Sequence, residues 1–411
     1  MFKSIQRDIK LIMFSRGIRA FAFSYLNIVF AIYLGRIGYS TVIIGLVLSV
    51  SYISGALLTA VWGFASDRIG RKKVLILLAI LTILSNTILV LTSHLAFILL
   101  AVVLVNVGAG GSAGGGQGGG TFNPVEQALL AEKCSAEERN QIFAINSFVG
   151  SILGSLGALM SGLPQYLREE WAWNSINSYK PLFALTCVFS FALVFIYRAI
   201  HEEHRPQVRQ KIISKQSRGF VTKMSLLGFL DNMGAGMISP WLPFWFNLRF
   251  GAEEMVLGKL YFLLFIFSAL SFLVAPMIAR IIGVVRTMVS SHATASLIYI
   301  FLPFAPSFFV AGVMMVLRSF VAYMDNPLRE SFTMAMVKSE ERGSAAGVTN
   351  LARVIPFGIS PMLSGYMMQS LSLNIPLMIG GSFQLAHDFT FYYLFRHVRP
   401  PEEERRRGSR S

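Results

Sequence analysis

Residues 63–73 read Gly63-Phe64-Ala65-Ser66-Asp67-Arg68-Ile69-Gly70-Arg71-Lys72-Lys73, a charged joint between two apolar runs, 41–65 and 74–93. Each run is long enough to cross a hydrocarbon core, which takes about 20 apolar residues per helix. Gly63 and Gly70 permit close helix approach and a tight turn. Asp67 suits the cap of a helix N-terminus or a pairing with an arginine of a neighbouring helix. The basic residues that follow mark this joint as cytoplasmic, the side on which Lys and Arg collect.

Similar apolar runs recur on both sides of this joint. Of 411 residues, 54% are hydrophobic and only 14% charged, against about 25% charged in a soluble domain. Twelve candidate spans follow: 11–34, 41–65, 74–93, 95–131 (interrupted), 141–163, 180–200, 221–248, 255–279, 287–305, 308–328, 344–368 and 373–396. No ten-residue alternating pattern points to a membrane β-barrel. The N-terminal MFKSIQRDIK leads into an uncleaved first span. The net charge of +15 sits in the joints and not in a basic domain, so no nucleic-acid partner is expected. With the N-terminus in the cytoplasm, only Arg36, Arg168, Lys180, Arg249 and Lys259 of the Lys and Arg residues face outside. The C-terminus is then cytoplasmic too, and the expected location is the cell (plasma) membrane.

The chain divides as 1–200, a six-span bundle, 201–220, a polar cytoplasmic linker, 221–398, a second six-span bundle, and 399–411, a charged disordered tail. The halves repeat one another. Asn123-Pro124, Arg139 and Ser161-Gly162 recur 203 residues later as Asn326-Pro327, Arg342 and Ser364-Gly365. Nearer the start of each half the separation is 213, and there the joint quoted above aligns with Pro276, Arg280, Gly283 and Arg286. The ten-residue difference falls on GSAGGGQGGG, residues 111–120. An unbroken span four would be roughly 55 Å long at 1.5 Å per residue, so this Gly-rich stretch reads as a break or looped insertion. Parallel repeats are a transporter architecture.

In spacing and position the 63–73 joint resembles the signature loop of the major facilitator superfamily. The resemblance extends over essentially the whole chain. It implies an all-α membrane protein of twelve transmembrane helices in two pseudo-symmetric six-helix bundles, with a central cavity lined by spans one, four, seven and ten. It also implies that the loop latches the cytoplasmic side of the outward-open state. The latch residues are then Gly63, Asp67, Arg68, Gly70 and Arg71; separately, Glu126, Arg139, Asp325 and Arg329 near the cytoplasmic mouth are read as gate residues, with a solvated helix end as the other reading of Glu126. Arg280 replaces Asp67 in the second copy, so the latch is asymmetric. In span five, Gly150, Gly154, Gly157 and Gly162 resemble the glycine motif of drug–proton antiporters, with Ser155 where that motif has proline.

Ionisable residues inside spans are costly and mark function. Arg19, Asp231, Arg318 and Arg353 fall near the middle of spans one, seven, ten and eleven. Arg19 aligns with Asn232, next to Asp231. Asp231 is the expected proton carrier, because burial raises a carboxylate's pKa while a neighbouring arginine lowers it. Arg19, Asn27, Asn232, Arg318 and Arg353 are the expected substrate-binding set, and its positive charge favours an anionic or amphipathic solute. Gln384, His387 and Asp388 stripe span twelve and read as packing or lipid-interface residues. Pro240 and Pro243 should bend span seven, and Pro356 and Pro361 span eleven.

No HExxH and no nucleotide loop GxxxxGK[ST] is present, so neither catalysis nor ATP-driven pumping is expected. Cys134 and Cys187 show neither a disulfide framework nor metal-ligand spacing. No cofactor is expected. The expected partners are membrane lipids, a small-molecule substrate and the proton, and the expected state is a monomer. The expected activity is proton-coupled secondary transport by alternating access; a lipid flippase or scramblase on the same fold is the alternative.

Overall fold

In a computed structural model the apolar runs are helices: α1 (Arg7–Ile37), α2 (Thr41–Ile69), α3 (Arg71–Leu91), α4 (Leu95–Leu104), α5 (Asn123–Lys133), α6 (Arg139–Leu159), α7 (Leu163–Trp171) and α8 (Lys180–Ala199). They continue as α9 (Lys215–Ile238), α10 (Leu242–Phe250), α11 (Glu254–Ile282), α12 (Val284–Phe301), α13 (Phe308–Ala322), α14 (Arg342–Ser370) and α15 (Ile375–Phe395). The structure describes residues 7–105, 107, 120–134, 138–202, 215–322, 324, 329 and 342–396. The Gly-rich stretch up to residue 119, the linker from 203 to 214 and the charged tail lie outside the described residues. Among the described residues there is no strand.

Seven of the described helices are long and apolar enough to cross a membrane, and α4 and α13 are shorter apolar helices. Leu57, Leu91, Val188, Leu226, Ile281 and Phe309 are each more than half exposed. Apolar surface on that scale is stable against lipid tails and not against water. Inside a bilayer a helix satisfies its own backbone donors and acceptors, which is why spans take this form.

Two compact units form. One comprises Met1–Gln207 with Pro240–Ile266, the other Val208–Ser239 with Phe267–Ser411. In the first, α1 runs through the centre against α6 and α8, and α3 packs on α8. In the second, α9 packs on α14 and α15, and α12 on α15. Span seven breaks at Ser239-Pro240-Trp241, so α9 and α10 are separate helices. Pro240 lacks the N–H that a continuous helix would need there. By contrast α14 stays helical through Pro356 and Pro361.

The joint between α2 and α3 is built on Gly70, whose φ of +100° suits glycine. The Glu202 carboxylate accepts from the backbone N–H of Arg71 (2.5 Å) and of Lys72 (3.0 Å). It thereby caps the first turn of α3, where unpaired N–H groups and the helix dipole favour an anion. Lys72 Nζ returns to the carbonyls of Arg198 (2.7 Å) and Ile200 (2.8 Å) at the end of α8. Arg71 reaches α5, donating to the Ala128 carbonyl at 2.9 Å and pairing with Glu132 at 2.5 Å.

Helix contact in the first unit depends on Gly157, where an added Cβ would overlap the backbone of Phe21 on α1. Gly157→Ala should therefore lower the thermal unfolding midpoint of the detergent-purified protein, at a cost of about 1–3 kcal/mol. Gly63→Ala, where a Cβ meets open space, should leave the midpoint nearly unchanged. Glu202→Ala removes the α3 cap and should cost about 0.5–2 kcal/mol in the same assay.

Candidate functional site

In the first unit Arg19 on α1 and Glu126 on α5 are each 1% exposed and form an ion pair. Ser15, one turn before Arg19, donates to Glu126 Oε1 at 2.6 Å. The Arg19 guanidinium also lies 4.7 Å from the centre of the Phe122 ring. Arg16 extends the contact through Nη1 to Asn123 Oδ1 at 3.1 Å. An arginine this deep requires a counter-charge, and Glu126 supplies it.

The second unit carries the counterpart. Asp231 on α9 accepts from Arg329 Nη1 at 3.2 Å, and both residues are buried. Arg329 stands 203 residues after Glu126, the separation of the two Asn-Pro motifs. Among the described residues, each unit thus holds a buried ion pair in which Glu126 and Arg329 stand at repeat-related positions, with the signs exchanged. The second pair is the more elaborate. Gln384 Nε2 donates to Asp231 Oδ1 at 3.4 Å, and His292 Nε2 faces the same oxygen at 3.4 Å. Arg353 bears on Asp231 electrostatically. His292 Nδ1 and His387 Nδ1 both approach Asp388 Oδ1, at 2.7 and 3.0 Å, and Ser296 donates to Asp388 Oδ2 at 3.1 Å.

Gln384, His387 and Asp388 are therefore not lipid-interface residues: all three are buried, and they join Asp231 in one network. Sequence reasoning also missed His292, which completes that network from α12. The available signal was their polarity within apolar runs. The other expected site residues are more dispersed. Asn232 turns back to the Gly228 carbonyl of its own helix at 2.8 Å. Asn27 is half-buried on α1. Arg318 is half-buried on α13 with its guanidinium 3.7 Å from the centre of the Tyr299 ring. Arg353 is half-buried on α14. In the loop, Gly63 is half-buried, Arg68 exposed and Arg71 buried. Asp325 and the side chains of Asp67 and Arg139 lie outside the described residues.

A further polar cluster holds the start of α11 within the first unit. Glu254 is fully buried, pairs with Arg168 at 2.7 Å and accepts from the Tyr179 hydroxyl. Ser161 donates to the Glu254 carbonyl at 3.0 Å, and Met255 N–H donates to Gln165 Oε1 at 3.1 Å.

The chain is 23% identical over 434 residues to an uncharacterized membrane protein of Saccharomyces cerevisiae (strain ATCC 204508 / S288c), YJR124C, covering 97% of this chain and 96% of that one. It is similar in structure to an auto-inhibited POT family peptide transporter (TM-score 0.76, 10% identity, 96% of this chain and 98% of that one). It is similar also to the nucleoside transporter NupG (TM-score 0.71, 14% identity, 95% and 100%). A third similar structure is the human organic anion transporter MFSD10, or TETRAN (TM-score 0.64, 16% identity, 94% and 99%). The profile described as Major Facilitator Superfamily matches residues 12–361 and 224–411. With its all-helical fold and its match from end to end, this multi-pass membrane chain belongs to the Major Facilitator Superfamily.

Proposed function

We propose that the chain is a secondary active transporter that moves a small solute by alternating access, coupled to protons through Asp231. The observation that carries this reading is the pair of sign-exchanged buried ion pairs, Arg19–Glu126 and Asp231–Arg329. A buried ion pair adds little net stability over a well-packed apolar pair. Its recurrence in both halves, with Glu126 and Arg329 at matching positions and Asp231 next to the counterpart of Arg19, favours a functional role, because charge held inside the membrane marks transport pathways. Only the second pair carries the additional histidine and glutamine partners of Asp231. A proton placed between His292 Nε2 and Asp231 Oδ1, 3.4 Å apart, loosens the hold on Arg329 when it moves onto the carboxylate.

The solute in this reading is an organic anion or amphipath. Glu126 neutralises Arg19, so the cationic character rests on Arg318, which offers a guanidinium stacked on the aromatic face of Tyr299. That combination suits a negatively charged group on an apolar body. The basic joint at Arg71–Lys73 supports cytoplasmic N- and C-termini, and in this reading the chain works in the plasma membrane.

Pyranine-loaded proteoliposomes test the coupling. Solute-dependent proton movement should be lost in Asp231→Asn, and undiminished movement would remove Asp231 from the mechanism. A thermal-shift panel tests the solute. Organic anions should stabilise the wild type but not Arg318→Ala, whereas stabilisation by lipophilic cations alone would overturn the anion assignment. Arg19→Glu should cost about 3–5 kcal/mol through the orphaned Glu126. The swap Arg19→Glu with Glu126→Arg should recover most of that unfolding midpoint.

A further inference from the structure

Asp388 orients two imidazoles at once. His292 and His387 each direct Nδ1 to its Oδ1. An ionised carboxylate only accepts hydrogen bonds, so each neutral ring carries its proton on Nδ1 and keeps a lone pair on Nε2. His292 Nε2 then faces Asp231 Oδ1 at 3.4 Å, one acceptor opposite another. His387 is 2% exposed, and its Nε2 is buried without a hydrogen-bond partner. One ligand atom from each of Asp231, His292 and His387 lies within 4.8 Å of the other two. A single proton would satisfy the His292–Asp231 contact and leave His387 Nε2 unmatched. A cation accepting three lone pairs satisfies all of them.

We propose that Asp231, His292 and His387 bind a divalent transition-metal ion of the Zn2+ class, with Asp388 as the carboxylate that orients both histidines. Tetrahedral bonds of about 2.0–2.1 Å set ligand atoms about 3.3 Å apart. The Asp231–His292 edge already has that length, and since one ligand atom of each residue lies within 4.8 Å of the others, the remaining edges shorten by about 1.5 Å at most. Arg329 holds Asp231 Oδ2, which leaves Oδ1 for the metal once Gln384 turns away. The ion class follows from the charges. Asp231 and Asp388 are offset by Arg329 and the nearby Arg353, so there is no excess negative charge to draw Mg2+ or Ca2+. Affinity comes from imidazole, which suits Zn2+, Co2+ and Ni2+. The inference rests on the reading of this cluster as the coupling site only for its consequence: a metal needs deprotonated ligands, so bound ion and proton exclude one another at Asp231.

The test is titration of the purified full-length protein, carrying an affinity tag without histidine, with Co2+. Visible d–d absorption bands should saturate at one ion per chain and be displaced by Zn2+ but not by Mg2+. His387→Ala should abolish the bands, and His387→Cys, which keeps a ligand, should retain binding with shifted bands. Asp388→Asn should weaken binding about 10–100-fold, and the exposed His201→Ala should bind as wild type. Folding of each variant is read by gel filtration and helical circular dichroism. Featureless titration of folded wild type, or bands that survive His387→Ala, overturns the inference. Solute-dependent proton movement in that same wild type would leave the transport reading standing.

Discussion

A guanidinium or carboxylate removed from water must find its counter-charge within the protein, and α1 and α9 both meet this demand, Asp231 standing next to the counterpart of Arg19. Arg19 takes Glu126, and Asp231 takes Arg329. Each pair ties an early helix of its half to the Asn-Pro segment that follows three spans later. The apolar packing of α1 on α6 and α8, and of α9 on α14 and α15, surrounds these pairs and excludes the water that would otherwise weaken them. The exchange of sign between halves keeps each pair neutral while making the two units chemically different. One unit presents a closed pair buttressed by Ser15 and Phe122. The other presents a pair whose carboxylate has further partners and hence more than one way to distribute its charge.

Much of this was legible before any coordinates. Apolar runs and charged joints gave the spans, because a bilayer allows few alternatives to the helix. The repeat at a separation of 203 residues was legible through its Asn-Pro motifs, but the correspondence of Glu126 with Arg329 gained meaning only from their partners on α1 and α9. Pro240 announced the break in span seven, since a missing N–H is a local property of the chain. Pro356 and Pro361 gave the same signal without ending α14, because the termination of a helix also depends on what packs around it.

The less legible features were those created by packing between distant segments. His292 belongs to no motif, and it acquires partners only when α12 lies against α15. His387 and Asp388 stripe one face of span twelve, and sequence alone does not say whether that face meets lipid or protein; it turns inward. Arg19 looked like a free cation because Glu126 lies more than a hundred residues away in the sequence. Glu254 belongs to no motif, and its burial against Arg168 and Tyr179 depends on α7 and α8.

The Glu254 cluster has a consequence for how the chain could be taken apart. Pro240–Ile266 comes from the second half of the sequence but is built into the first compact unit, fastened there by Arg168, Tyr179 and Ser161. Severing the backbone between residues 203 and 214 would therefore not release two self-sufficient pieces. The N-terminal fragment would lack part of its own core, and the C-terminal fragment would carry Glu254 without the arginine, tyrosine and serine that bury and receive it. Reassembly of the two fragments would be complementation, in which each supplies what the other cannot bury alone.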